Sequence, residues 1–296
     1  MTQNRQTLGE NRWFFIGPAL LIYLTFAIWP MLDVLIVSFQ DWDGLSEGRG
    51  FVGLDNYVYV LRDDPVFWMA FENTVIWTLL SLVVPPAIGL MLAMGLNQAV
   101  LWRAPLRAIY YLPIIFAPIA VATMWRWMYD PFFGLFARVM SDAGWAKYVP
   151  DFLGEPDIAL YSVFVAYIWQ QVGFSMVLFL AGLQNVDRTL IEAAELDGAT
   201  RWNVFKHVTL PALGPTVTIV LVLSVIHSLR AFDIIYGMTG GGPVESTQML
   251  ALWAFQTAMK SFEFGRGGAI SVMLLLITLA IVLPYMQWSQ KRELDQ

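Results

Sequence analysis

Six charged side chains, Asp33, Glu72, Arg126, Arg230, Asp233 and Arg266, fall inside or at the ends of otherwise apolar blocks of this chain. A charge in hydrocarbon is costly, so such residues pair with one another, line a polar cavity or relay protons. Arg230 and Asp233, three apart, would meet on one side of a helix and satisfy each other. An Arg230 turned toward a cavity would instead favour an anionic ligand. Asn73, Thr74, Gln170 and Gln171 could hydrogen-bond hydroxyl groups, and Trp169, Trp253 and Phe255 could stack on an apolar ligand face. An interhelical hydrogen bond is the simpler account of any single amide. His207 and His227 lack a second histidine at ligand spacing, so packing explains them better than metal binding. The chain has no cysteine, hence no thiolate nucleophile or cysteine-type zinc site, and it has neither a G-x-x-x-x-G-K-[ST] nor an H-E-x-x-H motif. No metal site, no bound cofactor and no enzyme activity follow from these residues.

The elements that must carry them are membrane helices. Apolar residues make up 58% of the 296 positions and charged residues 14%, with a mean hydropathy of +0.60. The apolar residues are gathered in blocks long enough for helices to cross a bilayer core of roughly 30 Å. The expected fold is all-α, with six spans near 13–39, 67–96, 106–129, 158–183, 212–236 and 267–288, in a transmembrane domain 13–288 between tails 1–12 and 289–296. The first block is too long for a signal-peptide core and lacks a small-residue cleavage site, so it reads as a retained helix. Arg5, Arg12, Arg103, Arg107, Arg188 and Arg201, with Lys206, Lys291 and Arg292, share one face, whereas the opposite loops hold Arg49, Arg62, Arg138, Lys147 and Lys260 alongside many acids such as Asp41, Asp43, Asp63, Asp64, Asp151 and Asp157. The positive-inside rule then puts both termini in the cytoplasm. The net charge of −6 carries no reading about nucleic acid, because in a membrane protein placement matters more than the sum. Pro18, Pro30, Pro85, Pro86, Pro113 and Pro118 each remove a helix hydrogen bond. They fit broken helices, although proline is also simply frequent in membrane helices. Trp13, Trp29, Trp42, Trp68 and Trp288 suit interface anchors, and the 14 methionines suit helix contacts.

Between the fourth and fifth blocks, residues 187–211 read as two short helices. Asp187 is an N-cap, Leu190, Ile191 and Ala194 share a face, Asp197-Gly198 stops the first helix, and a second begins near Thr200. Pro211 is expected to separate that second helix from the fifth span. Small residues at Ala193, Ala194, Gly198 and Ala199 among charges suit a surface that fits a groove on another protein, though an amphipathic loop packed on its own bundle has the same pattern. The run Glu192-Ala193-Ala194, then Asp197-Gly198-Ala199, Phe205 and Leu210-Pro211 resembles the EAA loop of ABC importer permeases. Phe51 to Tyr57, Asn73-Thr74, and Phe232 to Thr247 with its Gly240-Gly241-Gly242-Pro243 core resemble MalF-type carbohydrate permeases, in a compact form without a large external insertion.

That resemblance implies a permease subunit of a binding-protein-dependent importer for a sugar or sugar derivative in a bacterial-type cytoplasmic membrane. It implies that the loop docks as a coupling helix on a cytoplasmic ATPase dimer, where ATP and magnesium are bound. Glu192 would be a polar anchor, Gly198 the tight turn, and Ala193 and Ala199 close-packing positions. A second, similar permease subunit and an extracytoplasmic solute-binding protein complete the implied set of partners, with membrane lipid around the spans. The alternatives are an importer of a non-sugar solute and an ion-gradient transporter using Asp33, Glu72 and Asp233, the latter weakened by the lack of an inverted repeat.

Overall fold

A computed structural model describes residues 16–98, 102–229 and 231–294. The tail 1–12, the start of the first span at Trp13, Leu101 and Arg230 lie outside the described residues, as do the side chains of Trp288, Lys291 and Arg292. The described chain is helical apart from loops and one two-residue pairing of β1 (Gln40–Asp41) with β2 (Gly50–Phe51), antiparallel, Gln40 opposite Phe51. Four helices are long and apolar enough to cross a bilayer: α1 (Ile16–Val37), α3 (Phe67–Asn97), α7 (Pro156–Gln184) and α13, which runs Phe264–Leu294. Two bent pairs bring the count to six spans: α4 (Arg103–Ile115) with α5 (Pro118–Tyr129), at 100°, and α9 (Arg201–Ala212) with α10 (Gly214–Leu229), at 70°. Shorter helices are α2 (Asp55–Arg62), α6 (Leu135–Asp142), α8 (Arg188–Leu196), α11 (Phe232–Met238) and α12 (Leu250–Met259).

The block 106–129, expected as one span, is broken. Pro118 disfavours the α conformation at the residue before it. Phe116 and Ala117 accordingly take extended ψ angles of 138° and 136°. The block 212–236 also divides: α10 stops at Leu229 and α11 restarts at Phe232 after Ala231, whose ψ is 38°. Pro211 does not separate α9 from the next span. It sits within α9, directly after a π turn at Phe205–Thr209, and the bend comes later, at Leu213. In that turn the Leu210 N–H reaches back five residues to the Phe205 carbonyl. This widened register makes room for the ring of a proline that would otherwise crowd the carbonyl four residues before it. The same device precedes Pro30 in α1, where a π turn spans Leu24–Ile28 and the Trp29 N–H donates to the Leu24 carbonyl. Pro85 and Pro86 are carried inside α3 without a break.

The chain forms two compact units. The first comprises residues up to 64 with 254–276. In it the Asn56 Nδ2 donates to the carbonyls of Ser38 and Gln40, both at 2.9 Å, tying α2 to the end of α1. Gly265 of α13 lies against the Gln40 carbonyl with no space for a Cβ. Two charges singled out in the sequence are answered here: Asp33 pairs with Arg49 at 3.0 Å, and Arg266 pairs with Glu263 at 2.8 Å while lying 3.6 Å over the Tyr59 ring.

The second unit comprises residues 65–253 and 277–296. Its central element is α7, with 61% of its most apolar stretch buried. α3 packs along it closely enough that a Cβ on Gly89 would come within 2.6 Å of the Ser175 Cβ. One core cluster gathers Trp77, Val121, Trp125, Val163, Tyr167 and Ile235; another, near the C-terminal end of α7, gathers Ala93, Met176, Phe179, Leu213 and Val220.

Candidate functional site

Two helix breaks of the second unit, α4–α5 and α10–α11, open onto one cavity of about 300 Å³. The α4–α5 break contributes Ile114, Phe116 and Pro118, and the α10–α11 break contributes His227, Ala231, Asp233 and Ile234. The unbroken α7 supplies Tyr167, Gln170 and Gln171, which face the same way because they lie three and four residues apart. Gln170 is almost fully buried, and its Nε2 donates to the Phe116 carbonyl at 3.0 Å. The break has released that carbonyl from the helix ladder. The Gln171 Oε1 lies 3.3 Å from the His227 Nδ1. The cavity lining therefore combines apolar Ile114, Phe116, Pro118 and Ile234 with hydrogen-bonding groups: two amides, an imidazole, a phenol and a carboxylate. Such a lining suits a small polyhydroxylated or otherwise amphipathic ligand. Among the described residues no cluster of His, Asp or Glu could hold a metal ion.

Of the expected path residues, Gln170, Gln171 and Asp233 meet in this cavity. Trp169 does not line it; its ring meets Trp125 edge-on at 6.0 Å. Asn73 is buried, and its Nδ2 donates to the carbonyls of Ser246 and Gln248, both at 2.9 Å. Thr74 Oγ1 accepts from the Leu250 N–H at 3.1 Å. These two side chains hold the glycine-rich segment, which folds inward: Thr247 is fully buried and its hydroxyl donates to the Gly242 carbonyl at 2.8 Å. Trp253 and Phe255 lie on α12, Phe255 partly exposed. Arg230 lies outside the described residues. His227, expected as a packing residue, lines the cavity, and Tyr167, Phe116 and Pro118 join it without having been expected there. The signals that point to them are the spacing of Tyr167 from Gln170 and Gln171 and the Pro113/Pro118 pair, whose broken-helix reading applies.

The second candidate site is the α8–α9 pair. Asp187 caps α8 by accepting from the Thr189 N–H at 2.9 Å and the Thr189 hydroxyl at 2.8 Å. These bonds, that from the backbone first, hold its carboxyl below the ordinary value of 3.8. At the other end the Gly198 N–H donates to the Glu195 carbonyl and the Ala199 N–H to the Ala194 carbonyl, both at 3.0 Å, with Gly198 at φ +80°. That is a Schellman termination, which requires a left-handed residue at this position. Thr200 caps the next helix through the Asn203 N–H. Between these caps α8 buries no residue: Leu190 is 55% exposed and Leu196 89%, and Trp202 on α9 is 67% exposed. Glu192, Ala193, Asp197 and Pro211 are exposed, while Ala194, Ala199 and Phe205 are half-buried.

Six apolar spans, an internal cavity at the helix breaks and a capped helix pair presented on the surface define a membrane permease. The chain matches the family described as binding-protein-dependent transport system inner membrane component over residues 11–291, and it belongs to that family: it is the membrane-embedded permease subunit of an ABC importer. It is 34% identical to the trehalose/maltose transport system permease protein MalF of Thermococcus litoralis over 93% of this chain and 92% of that one. It is also 34% identical to a probable ABC transporter permease protein of Pyrococcus horikoshii, over 94% and 95% of the two chains. The fold is that of a bacterial alginate ABC transporter solved in complex with an alginate pentasaccharide-bound periplasmic protein, with a TM-score of 0.84, 22% identity and 96% of each chain covered.

Proposed function

We propose that this permease passes a sugar or sugar derivative through the cavity between Gln170, Gln171, His227 and Asp233, driven by a separate cytoplasmic ATPase that grips α8 and α9. In this reading both termini lie in the cytoplasm, ATP and magnesium are bound by the ATPase dimer, a second homologous permease completes the pathway, and an extracytoplasmic solute-binding protein delivers the solute. The observation that carries the coupling role is the exposure of Leu190, Leu196 and Trp202 on helices with formed caps. Burying one large apolar side chain stabilises a contact by roughly 1.5–3 kcal/mol, so three of them on a pre-formed element make a docking surface of useful strength. Glu192 and Asp197 beside them set its register. The sugar assignment rests on the name of the trehalose/maltose relative and on the amphipathic lining, which offers apolar side chains to a pyranose ring and amides to its hydroxyls. The test is purification of the tagged wild type and of Glu192→Ala and Leu196→Asp from detergent, followed by ATPase assays with sugar-loaded binding protein. Co-purification of an ATPase with the wild type and its loss or uncoupling in the variants is expected. A chain that purifies without an ATPase in every case would overturn the coupling role.

A further inference from the structure

The segment between α5 and α7 carries a surface that the transport reading does not use. α6 packs its inner side into an aromatic cluster: Phe136 lies 5.3 Å from Tyr129 and 6.1 Å from Trp125, and Ala137 is buried. Its other side is open, with Leu135 and Val139 beside the exposed Arg138 and Asp142. Phe132, Leu135 and Val139 follow one another at three- and four-residue spacing, and all three are exposed, as are Trp145 and Tyr148 beyond the helix. The four-residue spacing sets Leu135 and Val139 on one side of α6, and Phe132 lies in the turn that leads into it. Phe132 and Phe133 are not on a wandering loop, because Asp130 Oδ1 accepts from both of their N–H groups, at 2.9 and 3.1 Å.

The charges around this surface are sorted. Asp130 is turned onto the backbone, Asp151 accepts from the Gly154 N–H at 2.9 Å, and Glu155 accepts from the Asp151 N–H at 3.2 Å. Asp142 ends α6 and Asp157 sits in the first turn of α7. Arg138 and Lys147, both exposed and neither in an ion pair among the described residues, remain available beside the aromatic row. The segment joins directly to α7, a helix of 29 residues. At that length it is about 43 Å long, which puts the aromatic row at the membrane face opposite α8. Exposed Phe, Trp and Tyr flanking a short helix, with available basic side chains at a span end, match the chemistry of a phospholipid headgroup layer.

We infer that α6 and its flanks, residues 132–148, form an interfacial anchor that lies in the headgroup layer of the leaflet opposite the coupling helices, with Phe132, Leu135, Val139 and Trp145 toward the acyl chains and Arg138 and Lys147 toward lipid phosphates. The absence of cysteine makes the test direct. Single cysteines are placed at Phe132, Val139 and, as a reference, Asp157, spin-labelled, and read in the complete transporter in phosphatidylethanolamine/phosphatidylglycerol vesicles. Oxygen should relax the labels at positions 132 and 139 more strongly than a water-soluble nickel chelate, and the reverse should hold at 157. Lys147→Glu combined with Arg138→Glu should shift the label at 139 toward the aqueous response. Nickel-dominated relaxation at 132 and 139 would overturn the inference by making the surface aqueous. Exclusion of both relaxants would overturn it in favour of a second subunit covering the surface, and exclusion only after the binding protein is added would overturn it in favour of a docking site for that protein.

Discussion

Asn73 shows how a side chain suited to binding a solute can be committed elsewhere. Its amide satisfies two carbonyls of the glycine-rich segment. Asn73→Ala would leave those acceptors unpaired at a cost of about 1–3 kcal/mol, and it should lower the melting temperature of the purified subunit without changing which solute stimulates transport. Gly198 has open space around its missing Cβ, so a substitution there is limited by its left-handed backbone alone. Gly198→Val should weaken the α8 termination by about 1–2 kcal/mol, whereas Gly198→Asn should be tolerated; faster exchange of the Ala199 amide and reduced ATPase stimulation in the first variant only would check this. Asp187 carries a pH signature. Its carboxyl titrates lower in the folded chain than in the unfolded one, so its stabilisation of α8 is present above the ordinary value of 3.8 and is lost as pH falls through its depressed pKa. The Thr189 amide should therefore lose exchange protection only on the acid side of that value, and Asp187→Asn should remove the pH dependence.

Much of the element scale was legible in the sequence. Asp187, Asp197-Gly198 and Thr200 are local signals whose chemistry acts within four residues, and the structure uses each where the pattern puts it. The breaks were less legible. A proline marks only where a hydrogen bond is missing; Pro85 and Pro86 leave α3 intact, whereas Pro118 accompanies a bend of 100°. What decides is whether the neighbours supply a partner for the freed backbone, and at Phe116 that partner is Gln170, 54 positions away. Pairings of this separation leave no local pattern, which is also why the fate of Asn73 and the pairing of Asp33 with Arg49 could not be read in advance. Close helix approach is equally non-local. Gly173 of α7 lies against the backbone of Tyr110 and Tyr111 in α4 with no space for a Cβ. Gly173→Ala should therefore push two helices apart at a cost of about 1–3 kcal/mol, seen as a lower melting temperature in detergent.

For the whole molecule, the composition and the coupling-loop motif carried the family assignment, while the cavity needed the fold. Leu196→Asp is the variant that separates stability from assembly, because Leu196 is so largely exposed. Such a surface change should alter the stability of the isolated subunit by no more than about 0.5 kcal/mol. It should nevertheless abolish co-purification of the ATPase. A subunit with wild-type melting behaviour that still binds the ATPase would remove Leu196 from the docking surface.

In the proposed assembly the bend at Leu213 would let α10 act as a lever. One arm is α9, gripped in the proposed assembly by the ATPase; the other is α10, with 16 residues and His227 near its far end. That arm spans about 24 Å, so a rotation of about 10° about Leu213 would sweep its end through about 4 Å. Such a sweep is enough to part His227 from Gln171, 3.3 Å away on α7. Energy delivered at one membrane face would thus be read out as the width of a gap deep in the bilayer, with no wire of side chains needed between them.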